Sequence, residues 1–165
     1  MTIAVGERLP EVRLVLCSED GGSPITTGSF FAGKKVALFS VPGAFTSTCS
    51  ETHLPGFLAR ADDLKAHGVD EVVCTAVNDA AVMSAWARAM HAVGHISMLA
   101  DGSGDLARAM DLELDGRGFG MGIRSKRYAA LVNDGVVEYL GVEPGRDVGV
   151  SSAEAVMAEL RGAAG

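Results

Sequence analysis

Cys49 is the residue with the strongest chemical promise. It lies in segment 41–57, VPGAFTSTCSETHLPGF, where an apolar run stops at Pro42-Gly43 and Thr46 or Ser47 stands ready to cap a helix. A cysteine in a first helical turn meets unpaired backbone N–H groups and the positive end of the helix dipole, both of which favour a thiolate. An ordinary cysteine is only about 3% thiolate at pH 7. A helix terminus supplies at most about 2 kcal/mol toward charging it, so a reactive Cys49 calls for an arginine or lysine close to it in space. The chemistry implied is nucleophilic attack by sulfur.

Other candidates are weaker. His53 follows Cys49 by four residues, so one helical face can present both. It is either a general base in a Cys–His pair or a hydrogen-bonding residue near the pocket, and the second reading is preferred. A metal site from Cys49, His53 and Cys74 lacks ligand spacing. Gly28-x-x-x-x-Gly33-Lys34 looks like a phosphate-binding loop, but Lys35 stands where Ser or Thr is required, and the segment precedes a strand. Gly116, Gly118, Gly120 and Gly122 miss the dinucleotide-binding spacing and read as a flexible approach to Arg124.

The elements that must position Cys49 follow from hydropathy and breakers. Segment 13–17 reads as an early strand, and Gly21, Gly22 and Pro24 as a turn region. Segment 35–41 is an almost continuous apolar run that suits a buried strand. The helix after it is expected to reach about His67 and stop at Gly68, with a kink where Pro55 removes a backbone donor. Segment 70–77 is a second buried strand. Asn78 or Asp79 caps the next helix, with Val82, Met83, Trp86 and Met90 on one face. A short strand at 95–100 and a short helix at 106–112 follow. Segments 127–132 and 136–140 flank Asn133-Asp134-Gly135 as a hairpin, and Ser151-x-x-Glu154 reads as a capping box before a last helix.

Strand, helix, strand, helix, then hairpin and helix predict parallel strands with right-handed crossovers plus antiparallel additions. The expected class is α/β: a thioredoxin-like fold with a mixed central sheet flanked by helices on both faces. The 165 residues suit a single domain over 1–165.

Composition excludes several classes. A formal net charge of −7 argues against a generic nucleic-acid binder. No apolar run approaches the ~20 residues that span a membrane, and the first ten residues do not read as a secretory signal. Three cysteines without a C-x-x-C motif do not suggest a secreted disulfide framework. A cytoplasmic protein with one reactive thiol is the expectation.

Pro42-x-x-x-Thr46-x-x-Cys49 resembles the peroxiredoxin signature. The longer PGAFTSTCSETHLPGF, together with VCTAVNDAAVMSAWA, LADGSGDLARAMDLELD and IRSKRYAALVNDG, is similar to the fifth, or plant type II, peroxiredoxin subfamily, and the likeness covers nearly the whole chain. The resemblance implies a thiol peroxidase that reduces hydrogen peroxide and organic hydroperoxides without metal or organic cofactor, in antioxidant defence. It implies that Cys49 is the peroxidatic nucleophile and becomes a sulfenic acid. It further implies that the Thr46 hydroxyl bonds the thiolate and peroxide, that Arg124 lies beside the thiolate, with Arg127 as second choice, and that Pro42 shields the pocket. A dimer is also implied. A peroxide sensor or holdase of the same fold is the alternative.

The resemblance leaves recycling open between glutathione with glutaredoxin and thioredoxin. The late resolving cysteine of some subfamily members is missing, because 150–153 reads Val-Ser-Ser-Ala. Cys74 matches the second cysteine of plant type II members. Placed mid-strand, it would sit roughly 10 Å from Cys49, beyond the ~7 Å Cα separation a disulfide tolerates. Direct attack by glutathione or glutaredoxin on oxidised Cys49 is therefore slightly preferred. Cys17 reads as structural.

Overall fold

The apolar runs at 35–41 and 70–77 become adjacent parallel strands at the centre of the molecule. The computed structural model describes residues 1–19, 21–145 and 147–164. The strands are β1 (Arg13–Ser18), β2 (Gly21–Thr26), β3 (Lys35–Ser40), β4 (Glu71–Ala76), β5 (Ser97–Ala100), β6 (Glu113–Asp115), β7 (Ile123–Ser125), β8 (Tyr128–Asn133) and β9 (Val136–Val142). Seven of them form one sheet in the order β2-β1-β5-β4-β3-β8-β9, and β6 and β7 make a separate ribbon. β3, β4 and β5 run parallel, while the pairings of β1 with β2 and β5, of β3 with β8, and of β8 with β9 are antiparallel.

Alternation along β3 sorts side chains between two cores. Ala37, Phe39 and Val41 face α2 (Leu54–Ala66), α3 (Ala80–Ala89) and α5 (Ala153–Ala164), whereas Val36 and Leu38 face α1 (Thr27–Phe31) and α4 (Asp105–Ala109). This is the mixed sheet with helices on both faces of a thioredoxin-like fold. Trp86 lies fully buried in the first core.

Several sequence expectations hold. The Asp79 side chain accepts from Val82 N–H at 2.9 Å and caps α3. Asp134 and Gly135, at φ 50° and 81°, make the tight β8–β9 turn, where a primed turn needs two left-handed residues. Others are corrected. The glycine- and proline-marked segment after β1 is the edge strand β2, in which Pro24 pairs with Val15; an edge tolerates the missing donor. The last helix is capped by Ser152, whose hydroxyl accepts from Ala155 N–H at 3.1 Å, and not by Ser151, whose N–H and hydroxyl both donate to Glu143.

The architecture opens one end of the sheet to chemistry. β3 leaves the sheet at its carboxyl end, between the carboxyl end of β4 and the start of antiparallel β8. Whatever follows Ser40 in sequence is therefore delivered next to whatever precedes Tyr128.

Candidate active site

Beyond β3 the chain turns sharply. Val41 N–H still bonds Thr75 O at 3.1 Å, and Ala44 N–H donates to Asn78 Oδ1 at 2.9 Å, so the turn is tied to β4 and to the loop after it. Phe45 adopts φ 66°, a left-handed conformation unusual for a bulky side chain. Thr46 folds back onto the turn: its hydroxyl donates to Gly43 O at 2.7 Å and its N–H to the same oxygen at 3.3 Å. The Thr46 hydrogen is thus committed to Gly43 and not to sulfur, which leaves the oxygen's lone pairs as the available function.

Helical structure starts at Ser47, so Cys49 lies in the first turn. Residues Cys49–His53 form a π turn, closed by Leu54 N–H to Cys49 O, before α2 begins with Pro55 at its start. The irregularity expected at Pro55 takes this form: a residue without N–H cannot complete the α ladder, and the neighbouring bond widens instead. Trp86 Nε1–H bonds Ser50 Oγ at 3.0 Å and braces the turn.

Cys49 and His53 converge on one arginine, Arg127. Its Nη2 donates to Cys49 Sγ at 3.2 Å and its Nη1 to His53 Nδ1 at 2.9 Å. All three are buried, at 0%, 1% and 6% exposure respectively. Arg127 immediately precedes β8, and Ala129 and Leu131 place their side chains in the core shared with Cys49. Two-residue alternation therefore aims Arg127 at the same face.

The arginine that the resemblance put beside the thiol is Arg124, and here the structure differs. Arg124 Nε donates to Met121 O at 2.7 Å and Nη1 to Val77 O at 3.2 Å. Its Nη1 also lies close to Gly43 in the turn. Two residues separate the two arginines, enough to put one on the short ribbon and the other at the main sheet. A sequence signal for Arg127 existed: it falls within the apolar run 127–132, and a buried charge must find a partner.

The electrostatics are one-sided. Among the described residues neither arginine makes an ion pair with a carboxylate, and Arg127 Nε has no hydrogen-bond partner. His53 does not compensate: burial, with the Arg127 charge adding to it, lowers its pKa to about 4, so the ring is neutral near pH 7. Its Nε2–H donates to Ser151 O at 2.8 Å, which leaves Nδ1 as the acceptor for Arg127. A neutral ring already bonded on both nitrogens does not act as the general base for Cys49.

The remaining candidates are placed as follows. Pro42 is half-buried at the head of the turn. Cys74 occupies mid-β4, opposite Phe39 and Met98, and burial pushes its thiol well above the usual range. Cys17 lies on β1, half-buried, its thiol also raised by burial.

Known proteins resemble this chain over nearly its whole length. Residues 4–157 match the Redoxin family. The chain is 43% identical to peroxiredoxin-2D of Arabidopsis thaliana over 159 residues, 96% of this chain and 98% of the relative. It is 44% identical to the chloroplastic peroxiredoxin-2E-2 of Oryza sativa subsp. japonica, covering 96% of this chain and 73% of that one. Among solved structures, reduced Prx3 of Vibrio vulnificus in complex with hydrogen peroxide superimposes with a TM-score of 0.92 at 48% identity, covering 96% of this chain and 99% of that one.

Proposed function

The chain belongs to the peroxiredoxin family and is a thiol peroxidase; from that premise we propose that Cys49 is its peroxidatic nucleophile and Arg127 the cation that charges it. Peroxides are its substrates and a thiol reductant returns it to the starting state. The observation that carries the residue assignment is the Arg127 guanidinium, 6% exposed, 3.2 Å from Cys49 Sγ and without a carboxylate. A buried cation with no counter-charge costs several kcal/mol. Ionised Cys49 is the group in direct contact that can supply the missing negative charge.

The thiolate attacks the terminal peroxide oxygen. The S–O bond forms as the O–O bond breaks, sulfur is oxidised to sulfenic acid, and the departing oxygen takes a proton to leave as water or alcohol. Arg127, with its unpartnered Nε–H, and the first-turn N–H groups stabilise charge developing on that oxygen. Thr46, its own hydrogen held by Gly43, offers lone pairs to the peroxide O–H and so orients it. Pro42 walls the pocket.

The sulfenic acid then condenses with an incoming thiol, releasing water and leaving a mixed disulfide, which a second thiol reduces. Glutathione with glutaredoxin is the proposed reductant in preference to thioredoxin acting through Cys74. The support is the position of Cys74, buried mid-strand with its thiol raised by burial. A homodimer is proposed on the exposed apolar side chains Phe45, Ile123 and Val150, which border the loops around the site. The whole chain, 1–165, is read as one domain. No helix among the described residues is long and apolar enough to cross a membrane. The cytoplasm is the proposed compartment, where three free cysteines stay reduced.

The test is peroxide consumption by wild type and Cys49→Ser with glutathione and glutaredoxin supplied. Wild type should turn over and C49S should not, with unchanged far-UV circular dichroism. Turnover by folded C49S would remove Cys49 from the mechanism.

A further inference from the structure

Beyond β9, Ser151 meets the active site through its carbonyl, which contacts His53, and one carboxylate holds residues 149 and 151. A single oxygen of Glu143, Oε2, accepts from Gly149 N–H at 2.6 Å, Ser151 N–H at 2.8 Å and Ser151 Oγ–H at 2.6 Å. Burial opposes its ionisation, but the bonds from the Ser151 hydroxyl and the two N–H groups prevail and hold its pKa below the usual carboxylate value. The Tyr139 hydroxyl adds a second tie, to Val150 O at 2.5 Å. Gly141 permits the approach, since a Cβ there would overlap the Val150 carbonyl.

These contacts belong to a closed circuit. Glu143 N–H donates to Arg127 O at 2.9 Å, extending the β8–β9 pairing by one step. From the Glu143 carboxylate the circuit passes to Ser151, from Ser151 O to His53 Nε2, and from His53 Nδ1 to Arg127 Nη1. Arg127 Nη2 then reaches Cys49 Sγ.

The directions of these bonds are not interchangeable. A carbonyl only accepts and a guanidinium only donates. The Ser151 carbonyl therefore fixes the hydrogen on Nε2, and only that tautomer turns a lone pair toward Arg127. If the carbonyl moves away, only the guanidinium N–H still keeps the hydrogen off Nδ1, and the ring loses one of the two contacts that orient it.

We propose that Glu143, remote from the sulfur, is a positioning residue for the peroxide step: by anchoring 149–151 it sets the tautomer of His53 and, through it, the placement of Arg127 on Cys49. This rests on the reading of Cys49 and Arg127 given above. A residue that merely stapled a surface loop would leave the thiol unaffected.

Glu143→Ala, Glu143→Gln and His53→Leu separate the two possibilities. Oxidation of reduced enzyme by hydrogen peroxide is followed by stopped-flow fluorescence of Trp86, which is bonded to Ser50 beside the thiol. E143A should react roughly tenfold more slowly, less than the 10²–10³-fold expected for losing a direct donor. E143Q should recover part of the rate, because the amide oxygen still offers two lone pairs to these donors. The pH midpoint of Cys49 alkylation should rise in E143A and return part of the way in E143Q. The double variant E143A/H53L should be no slower than H53L, since both act through one chain of contacts.

Should E143A not fold, Glu143→Asp, shorter by one methylene, takes its place with the same expectations. Wild-type rates and alkylation midpoints in folded E143A or E143D would overturn the proposal, as would effects that multiply in the double variant. Wild type that does not react with peroxide would instead overturn the peroxidase assignment of the site.

Discussion

Arg127 meets Cys49 through a single nitrogen, Nη2, at 3.2 Å, while its Nη1 is spent on His53. The contact is therefore directional: the same side chain is pinned at one corner and presented to sulfur at the other. Arg124 has different contacts, tying the carbonyls of Met121 and Val77 together.

The two arginines should separate kinetically. Arg127→Ala should slow peroxide reduction by about 10²–10³-fold and shift Cys49 alkylation to higher pH. Arg124→Ala should slow it by less than about tenfold, through loosening of the turn around Gly43. Second-order rate constants for both variants decide the matter; equal losses, or a larger one in R124A, would return the cationic role to Arg124.

Thr46 is expected to tolerate serine and not valine. Serine keeps the hydroxyl that donates to Gly43 O and the lone pairs offered to the peroxide. Valine keeps the shape and loses both. Thr46→Val should be at least about tenfold slower with hydrogen peroxide while binding the reductant normally, and Thr46→Ser should stay within a few-fold of wild type. Identical rates for T46V and T46S would dismiss the hydroxyl.

His53 makes stability depend on pH. Its pKa falls from 6.5 in the unfolded chain to about 4 in the fold. Below pH 6.5 the unfolded state binds a proton that the native state refuses, so stability is complete above 6.5 and drains away as pH drops toward 4. The full difference is about 3 kcal/mol. Urea unfolding at pH 5 and pH 7 should show wild type losing more stability on acidification than His53→Gln, which has no proton to gain. Parallel losses in the two proteins would mean that His53 is not the group responsible.

Cys74 should be dispensable for glutathione-supported turnover. Peroxide-treated wild type without added thiol should carry a sulfenic acid on Cys49, convertible to a glutathione mixed disulfide. A mass loss of two hydrogens with a cross-linked Cys49–Cys74 peptide would sink this route and favour thioredoxin.

What the sequence disclosed depended on how local the cause was. The buried runs of β3 and β4, the Asp79 cap and the Asp134-Gly135 turn each follow from a few neighbouring residues. β2 escaped notice because Gly21, Gly22 and Pro24 read as punctuation, and only pairing with β1 makes them a strand. Ser151 looked like a cap because its rival claim comes from Glu143, eight residues upstream. The misplacement of Arg124 has a related origin. Motif likeness locates a stretch of chain, but the side that a residue faces depends on strand phase, and Arg127, Ala129 and Leu131 share a phase visible once β8 is paired with β3.

The two borders of the main sheet have a consequence for self-association. On one side, β2 exposes Gly21, Gly22, Ser23 and Pro24, and Pro24 has no N–H to offer an incoming strand. On the other, Gly6, Glu7 and Leu9 bond to the Gly135–Val137 stretch, and Val150 lies against Gly141. Among the described residues, a proline interrupts one border and residues 6–9 cover the start of the strand at the other. Both interruptions work against copies of the protein zipping their sheets together and growing into cross-β fibrils.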